Sequence, residues 1–296
     1  IAATILKNKN ADVIVLDPER EYSELVKTLG GEVINISATS NNHINALDLD
    51  ENYGDGENPI ILKSEFILSL CEQLMGERNL GAIQKSIIDR CVSLTYRHYQ
   101  QGNYKGLAPT LLDFKNELDK QPEPEAKEIS LALELFTTGS LNTFAKETNV
   151  DTNNRFICYD IKDLSKQLRP LGMLVVLDSI LNRISKNRKL GRSTFLFVDE
   201  IYLMFKNEYS ANFFFELWKR IRKYGGAATG ITQNVEDVLQ NSTARAMLSN
   251  SEFIIMLNQA STDRVELANL LNISDLQLGY ITNVNAGRGL IKIGDA

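Results

Sequence analysis

Residues 193–205 read STFLFVDEIYLMF, a mostly apolar run that meets two adjacent carboxylates, Asp199 and Glu200, and then turns apolar again. A short apolar run of this kind, rich in Phe, Val and Leu, predicts a buried strand. Acids at the point where such a strand ends predict a binding edge, because ligands of parallel sheets gather at the carboxyl ends of the strands.

The same pattern recurs outward from this stretch. ADVIVLD (11–17), EVINI (32–36), RFICYD (155–160), AATGI (227–231), EFIIML (252–257) and GLIKI (289–293) read as further strands. Helical periodicity separates them near 19–29, 165–187, 209–224, 235–249 and 261–281. Strands alternating with helices predict an α/β fold, a mostly parallel sheet flanked by helices. Between about Pro59 and Glu147 only helical periodicity appears, broken by GNYKG and QPEPE, which predicts an all-helical insertion. The expected organisation is therefore residues 1–58 and 151–296 as two parts of one α/β domain, with 59–150 inserted.

Composition narrows the functional classes. The 296 residues carry a net charge of −6, which argues against whole-surface affinity for nucleic acid or anionic lipid and leaves only local basic clusters. Cys71, Cys91 and Cys158 are odd in number and sit in apolar contexts, so they read as buried thiols. His43 and His98 have no ligand partners at zinc spacing. The most apolar helix, LGMLVVLDSILNRI, is interrupted by Asp178 and Arg183 before reaching the roughly 18 apolar residues of a membrane span. The chain opens at Ile1 inside a helix-like run and closes on GDA, so an excerpt of a longer protein is expected.

The strand ends carry the chemistry. They supply Asp17 to Glu19, Asp160, Asp199 with Glu200, and Gln233. Asp199 suits a magnesium ion, a hard cation that takes oxygen ligands near phosphates. Glu200, pointing differently from its neighbour on an extended chain, would orient and deprotonate an attacking water. The alternative is an Asp that caps the next helix with a Glu in its first turn. Gln233 offers an uncharged amide able to hydrogen-bond a γ-phosphate, or is simply a loop residue before a helix.

Asp17–Pro18 reads as a helix start, Asp at the cap and Pro in the first position, with Glu19 beside the expected ligand edge. The helix ending in RIRKYGG places Arg222 far from its own strand-end acids. Arg220, Arg222 and Lys223 either complement the helix C-terminus, or one of them reaches a neighbouring subunit's phosphates. The stretch RISKNRKLGR reads as a solvated helix end. No GxxxxGK[ST] occurs, and no Gly-Lys pair, so the phosphate cradle is not among these residues.

The ordered series VIVLDPEREY, helical insertion, FICYDI, FLFVDEIYLMF, RIRKYGGAATGITQN and GRGLIKIGD resembles the large ATPases of type IV secretion and conjugative transfer, the TrbE/CagE family. These belong to the HerA and FtsK class of RecA-like ring ATPases. The resemblance implies a RecA-like domain that binds ATP and Mg2+, with its phosphate loop upstream of IAATILKNK. It implies Asp199 as magnesium ligand, Glu200 as catalytic base, Gln233 as γ-phosphate sensor and Arg222 as an arginine finger acting in trans. Arg288 matches a further position near the nucleotide, and Glu19 stands close to it.

The resemblance also implies a bacterial protein, a homo-oligomer in a hexameric ring, working with other secretion components on the cytoplasmic side of the inner membrane. A DNA or protein substrate is expected. A DNA-pumping coupling ATPase of the same class shares these strand-end residues, and a non-hydrolysing scaffold of a secretion complex is the alternative outside enzymes.

Overall fold

The fold is taken from a computed structural model that describes residues 1–49, 51, 53, 58–76, 80–233, 235–258, 261–282, 284–285 and 287–294. The chain divides into two compact units, Ile1–Asp199 with Lys219–Ile231, and Glu200–Trp218 with Thr232–Ala296.

The first unit is built on a five-stranded parallel sheet of order β2-β3-β1-β4-β5, with β1 at Ala11–Asp17, β2 at Glu32–Asn35, β3 at Phe156–Asp160, β4 at Ser193–Val198 and β5 at Gly226–Gly230. Every residue of β1 and β3 is buried, as expected for inner strands of a sheet covered on both faces. Val13, Val15, Phe156 and Cys158 pack with Val26 of helix α2, Ser23–Thr28, which follows the short opening helix α1, Ala2–Ile5. β5 is an outer strand of this sheet and is made of small residues. A Cβ at Gly226 would meet Ile221 and the Thr194 carbonyl at 2.8 Å each, so only glycine admits this close strand pairing.

Between β2 and β3 the described residues form helices and no strand: α3, Pro59–Met75, α4, Ala82–Gln101, α5, Leu111–Asp119, and α6, Pro124–Thr137. Their starts follow capping chemistry. Asn58 caps α3 with Pro in its first turn, and Thr110 forms a reciprocal box with Asp113 at α5. Helix α7, Arg169–Lys189, carries the two charges that interrupt its apolar sequence, and both are buried and paired. Asp178 accepts hydrogen bonds from Lys63 Nζ of α3 at 2.6 Å and from the Tyr53 hydroxyl. Arg183 pairs with Asp12 of β1, which also accepts from Asn187 Nδ2 at 2.8 Å. Among the described residues no helix is long and apolar enough to cross a membrane.

The second unit begins with a 3-10 turn, Ile201–Lys206, and most of helix α8, Glu208–Ile221. It continues through α9, Val235–Gln240, α10, Ser242–Ser249, β6, Phe253–Met256, α11, Ser261–Leu271, α12, Asp275–Leu278, and β7, Leu290–Ile293. β6 and β7 pair antiparallel in a sheet of their own, with Ile254 and Met256 packed on Leu239, Leu267, Leu271 and Ile281.

Three helices expected as single runs differ. The segment expected at 235–249 splits because the Asn241 side chain caps α10, accepting from Ala244 N at 3.0 Å. The segment expected at 261–281 ends early, where Asn272 turns left-handed at φ 54° and Ser274 starts α12 with its own cap. The helix expected near 19–29, α2, begins at Ser23 rather than near Glu19, for a reason that belongs to the site.

Candidate active site

Register places Asp17, Asp160 and Asp199 side by side at the carboxyl edge of the first unit. Asp17 pairs with Asp160 across β1 and β3, and Asp199 N donates to the Leu16 carbonyl at 3.0 Å. All three carboxylates are buried, and burial of a charge demands partners.

Two of the three are consumed in holding the fold. Asp17 does not cap a helix. Its Oδ1 accepts from Glu19 N at 3.3 Å and Glu21 N at 3.1 Å, and its Oδ2 accepts from Tyr22 N at 3.0 Å. Those bonds close residues 17–22 into a loop, with Arg20 left-handed at φ 62°, and the helix waits until Ser23. Asp160 accepts from Arg20 Nε and from Asn35 Nδ2 at 3.1 Å, while Arg20 also bonds Asp163. The hydrogen bond to Asp160, then that to Asp163, hold the Arg20 guanidinium even more firmly protonated than usual.

The negative potential of this edge is visible in its neighbours. Burial, followed by the charges of Asp199 and Asp17, pushes the Tyr22 phenol up to about 12. Burial, then Asp17 and Asp160, likewise push the Cys158 thiol up. Tyr22 is thus an additional member of the edge, and its only sequence signal was its place at the end of DPEREY.

Asp199 is 7% exposed at the end of β4, and its charge is one of those that raise the Tyr22 phenol. Among the described residues no group of three or more His, Cys, Asp or Glu is arranged to hold a metal. Magnesium beside phosphates is commonly held by one or two carboxylates, so the single carboxylate of Asp199 fits that cation. Glu19 lies exposed on this edge, its carbonyl accepting from Lys162 Nζ at 3.2 Å.

Glu200, Gln233 and Arg288 belong to the second unit. Glu200 is not extended as its neighbours in β4 are. It adopts φ 45° and ψ 53°, a left-handed conformation that costs a non-glycine residue about 1–2 kcal/mol. Its Oε2 is buried without a hydrogen-bond partner among the described residues. A buried, unpartnered carboxylate oxygen on a strained backbone is the arrangement expected of an acceptor kept for a ligand or a reacting water. Gln233 is exposed just before α9, and Arg288 is exposed two residues before β7.

Arg222 is exposed in the turn that precedes β5, at the amino edge of the sheet. Thr194 pairs with Gly226, and the strand from Thr194 to Asp199 alone is about 16 Å long at about 3.3 Å per residue. Arg222 and Asp199 of one chain therefore do not meet.

The comparisons agree with this architecture. No curated relative matches the chain. Among solved structures it is similar to VirB4 of Thermoanaerobacter pseudethanolicus, with a TM-score of 0.79 and 26% identity over 97% of this chain and 80% of that one. The family model described as the TraG P-loop domain matches residues 111–289, a span that holds Asp199, Glu200, Arg222, Gln233 and Arg288. Both matches bear out the resemblance to type IV secretion and conjugative transfer ATPases, and the chain belongs to the TraG P-loop domain family.

Proposed function

We propose that the chain is the motor module of a type IV secretion or conjugation apparatus and hydrolyses ATP to drive assembly or transport. The observation that carries this reading is the buried, unpartnered Oε2 of Glu200, directly after the acid that ends β4.

In this reading Asp199 holds magnesium, directly or through water, and the ion when bound neutralises charge on the β- and γ-phosphates. Glu200 Oε2 accepts the proton of the attacking water, and the carboxylate fixes that water in line. The Gln233 amide hydrogen-bonds the γ-phosphate without adding charge. Arg222 of a neighbouring copy supplies positive charge to the transferring phosphoryl group. Glu19 and Arg288 border the nucleotide. The working form is a homo-oligomeric ring at the cytoplasmic face of the inner membrane, alongside other secretion components.

Glu200→Gln tests the assignment, since it keeps the shape and removes the base. ATP turnover of the intact protein should fall by at least about 100-fold, and turnover within about twofold of wild type would sink the reading.

A further inference from the structure

The helical insertion does not close completely against α7. Between them lies a cavity of about 260 Å3, just under the roughly 300 Å3 at which pockets for drug-sized molecules begin. All of its walls belong to the first unit. One face of α7 forms one wall, and the largely buried segment 44–49, the turn between α4 and α5 and the loop 147–153 form the others. Its charges are separated into two poles. Asp48 stands at the Asp178 end of α7, where the charges of Asp178 and Lys63 act on its carboxyl. Lys186 stands about 12 Å further along the helix, at about 1.5 Å per residue. Asp178 and Arg183 also line the cavity, but they are matched within the fold by Lys63 and Asp12. The two poles are not. Lys186 Nζ donates to the neutral Asn153 Oδ1 at 2.9 Å, and no acid pairs with it among the described residues. The Asp48 carboxylate accepts from the neutral Thr148 hydroxyl. Burial, offset in part by that bond, holds the Asp48 carboxyl above its usual value.

Between the poles the wall suits an amide. Asn182 lines the cavity, and its Oδ1 is buried without a hydrogen-bond partner among the described residues. An oxygen in that state calls for a donor from outside the fold, and a side-chain amide, donor at one end and acceptor at the other, complements a peptide bond. The rim is strained. In the turn between α4 and α5, Asn103 and Tyr104 are consecutive left-handed residues, φ 53° and 56°, and Tyr104 packs edge-on against Tyr99 of the wall at 5.8 Å. Each such residue costs about 1–2 kcal/mol, and strain of this kind gathers at ligand clamps. We propose that this cavity binds a free peptide of about three residues as a zwitterion, with its ammonium at Asp48, its carboxylate at Lys186 and a central amide at Asn182. Three extended residues span about 10 Å, which with the reach of the Lys186 side chain matches the separation of the poles. A single amino acid is too short to meet both, and one terminus of a folded protein carries only one of the two charges. Neither pole belongs to the proposed catalytic site, so the two readings stand or fall separately.

Titration calorimetry of the intact protein with trialanine tests the assignment. Saturable binding with a Kd at or below about 1 mM is expected. N-acetyl-trialanine, which lacks the ammonium, and trialanine amide, which lacks the carboxylate, should each bind at least about tenfold more weakly. Lys186→Met should weaken trialanine about tenfold and erase its advantage over the amide, and Asp48→Asn should erase its advantage over the acetylated form. Lys186 is half-buried and bonded to a single side-chain amide, so Lys186→Met carries the test should Asp48→Asn fail to fold. No binding at about 10 mM trialanine would overturn the proposal. So would a capped peptide that binds as tightly as the free one, or a Lys186→Met protein that binds all three peptides as wild type does.

Discussion

Arg222 and Asp199 mark opposite ends of two hydrogen-bonded parallel strands, the arginine before β5 and the aspartate after β4. Under the proposed function, Arg222 therefore serves the acid of another molecule. Arg222→Ala is expected to lower ATP turnover by about 1,000-fold or more while leaving nucleotide affinity within a few-fold. Mixing Arg222→Ala with Glu200→Gln should recover part of the activity, because some contacts then pair an intact base with an intact arginine. Loss of nucleotide binding in Arg222→Ala, or no recovery on mixing, would count against the trans role.

Asp17 offers a test of the division among the strand-end acids. Asp17→Ala leaves the N–H groups of Glu19, Glu21 and Tyr22 without their acceptor, which should cost about 3 kcal/mol or more in chemical denaturation. Asp17→Asn keeps one acceptor oxygen and should cost about half as much. Equal, negligible effects would show that the loop is held by something else.

Lys63 is fully buried, bonded to Asp178 and seated over the Tyr53 and Phe66 rings. Lys63→Met strands the Asp178 carboxylate and should destabilise the protein by about 3–5 kcal/mol. Combining it with Asp178→Leu and Tyr53→Phe removes the whole polar cluster and should recover most of that loss. A triple variant no more stable than Lys63→Met would refute the pairing as the source of the cost.

His43 supplies a pH dependence. Burial, then the nearby Lys146, hold its imidazole below the usual value. The native state therefore favours the neutral ring. Its contribution is complete above the unfolded value of about 6.5 and is lost as pH falls through the lower native value. Wild type should lose more stability than His43→Gln between about pH 7.5 and about pH 5, measured by urea unfolding. Lys146→Ala should raise the His43 titration in an NMR experiment. Parallel pH curves for wild type and His43→Gln would exclude the effect.

Much of the first unit was readable because inner strands of a parallel sheet are continuous apolar runs. ADVIVLD and FLFV permit little else, and the acids that close them are conspicuous. Long-range pairing was not readable. Nothing near Asp160 announces Arg20, 140 residues earlier, and Lys63 on an amphipathic helix reads as solvated until Asp178 is found beside it. Asp17–Pro18 suggested a helix cap because the same carboxylate geometry that caps helices can close a loop, and only the left-handed Arg20 separates the two outcomes.

Under the proposed function, the left-handed backbone of Glu200 sets heat resistance against turnover at a single codon. Glycine occupies that region of conformational space without penalty, and Glu200→Gly also removes a buried oxygen that has no partner. A population of variants selected only for surviving heat would be expected to enrich glycine at this position and to accumulate sturdier, idle molecules. Selection for ATP consumption would hold the glutamate and its strain in place.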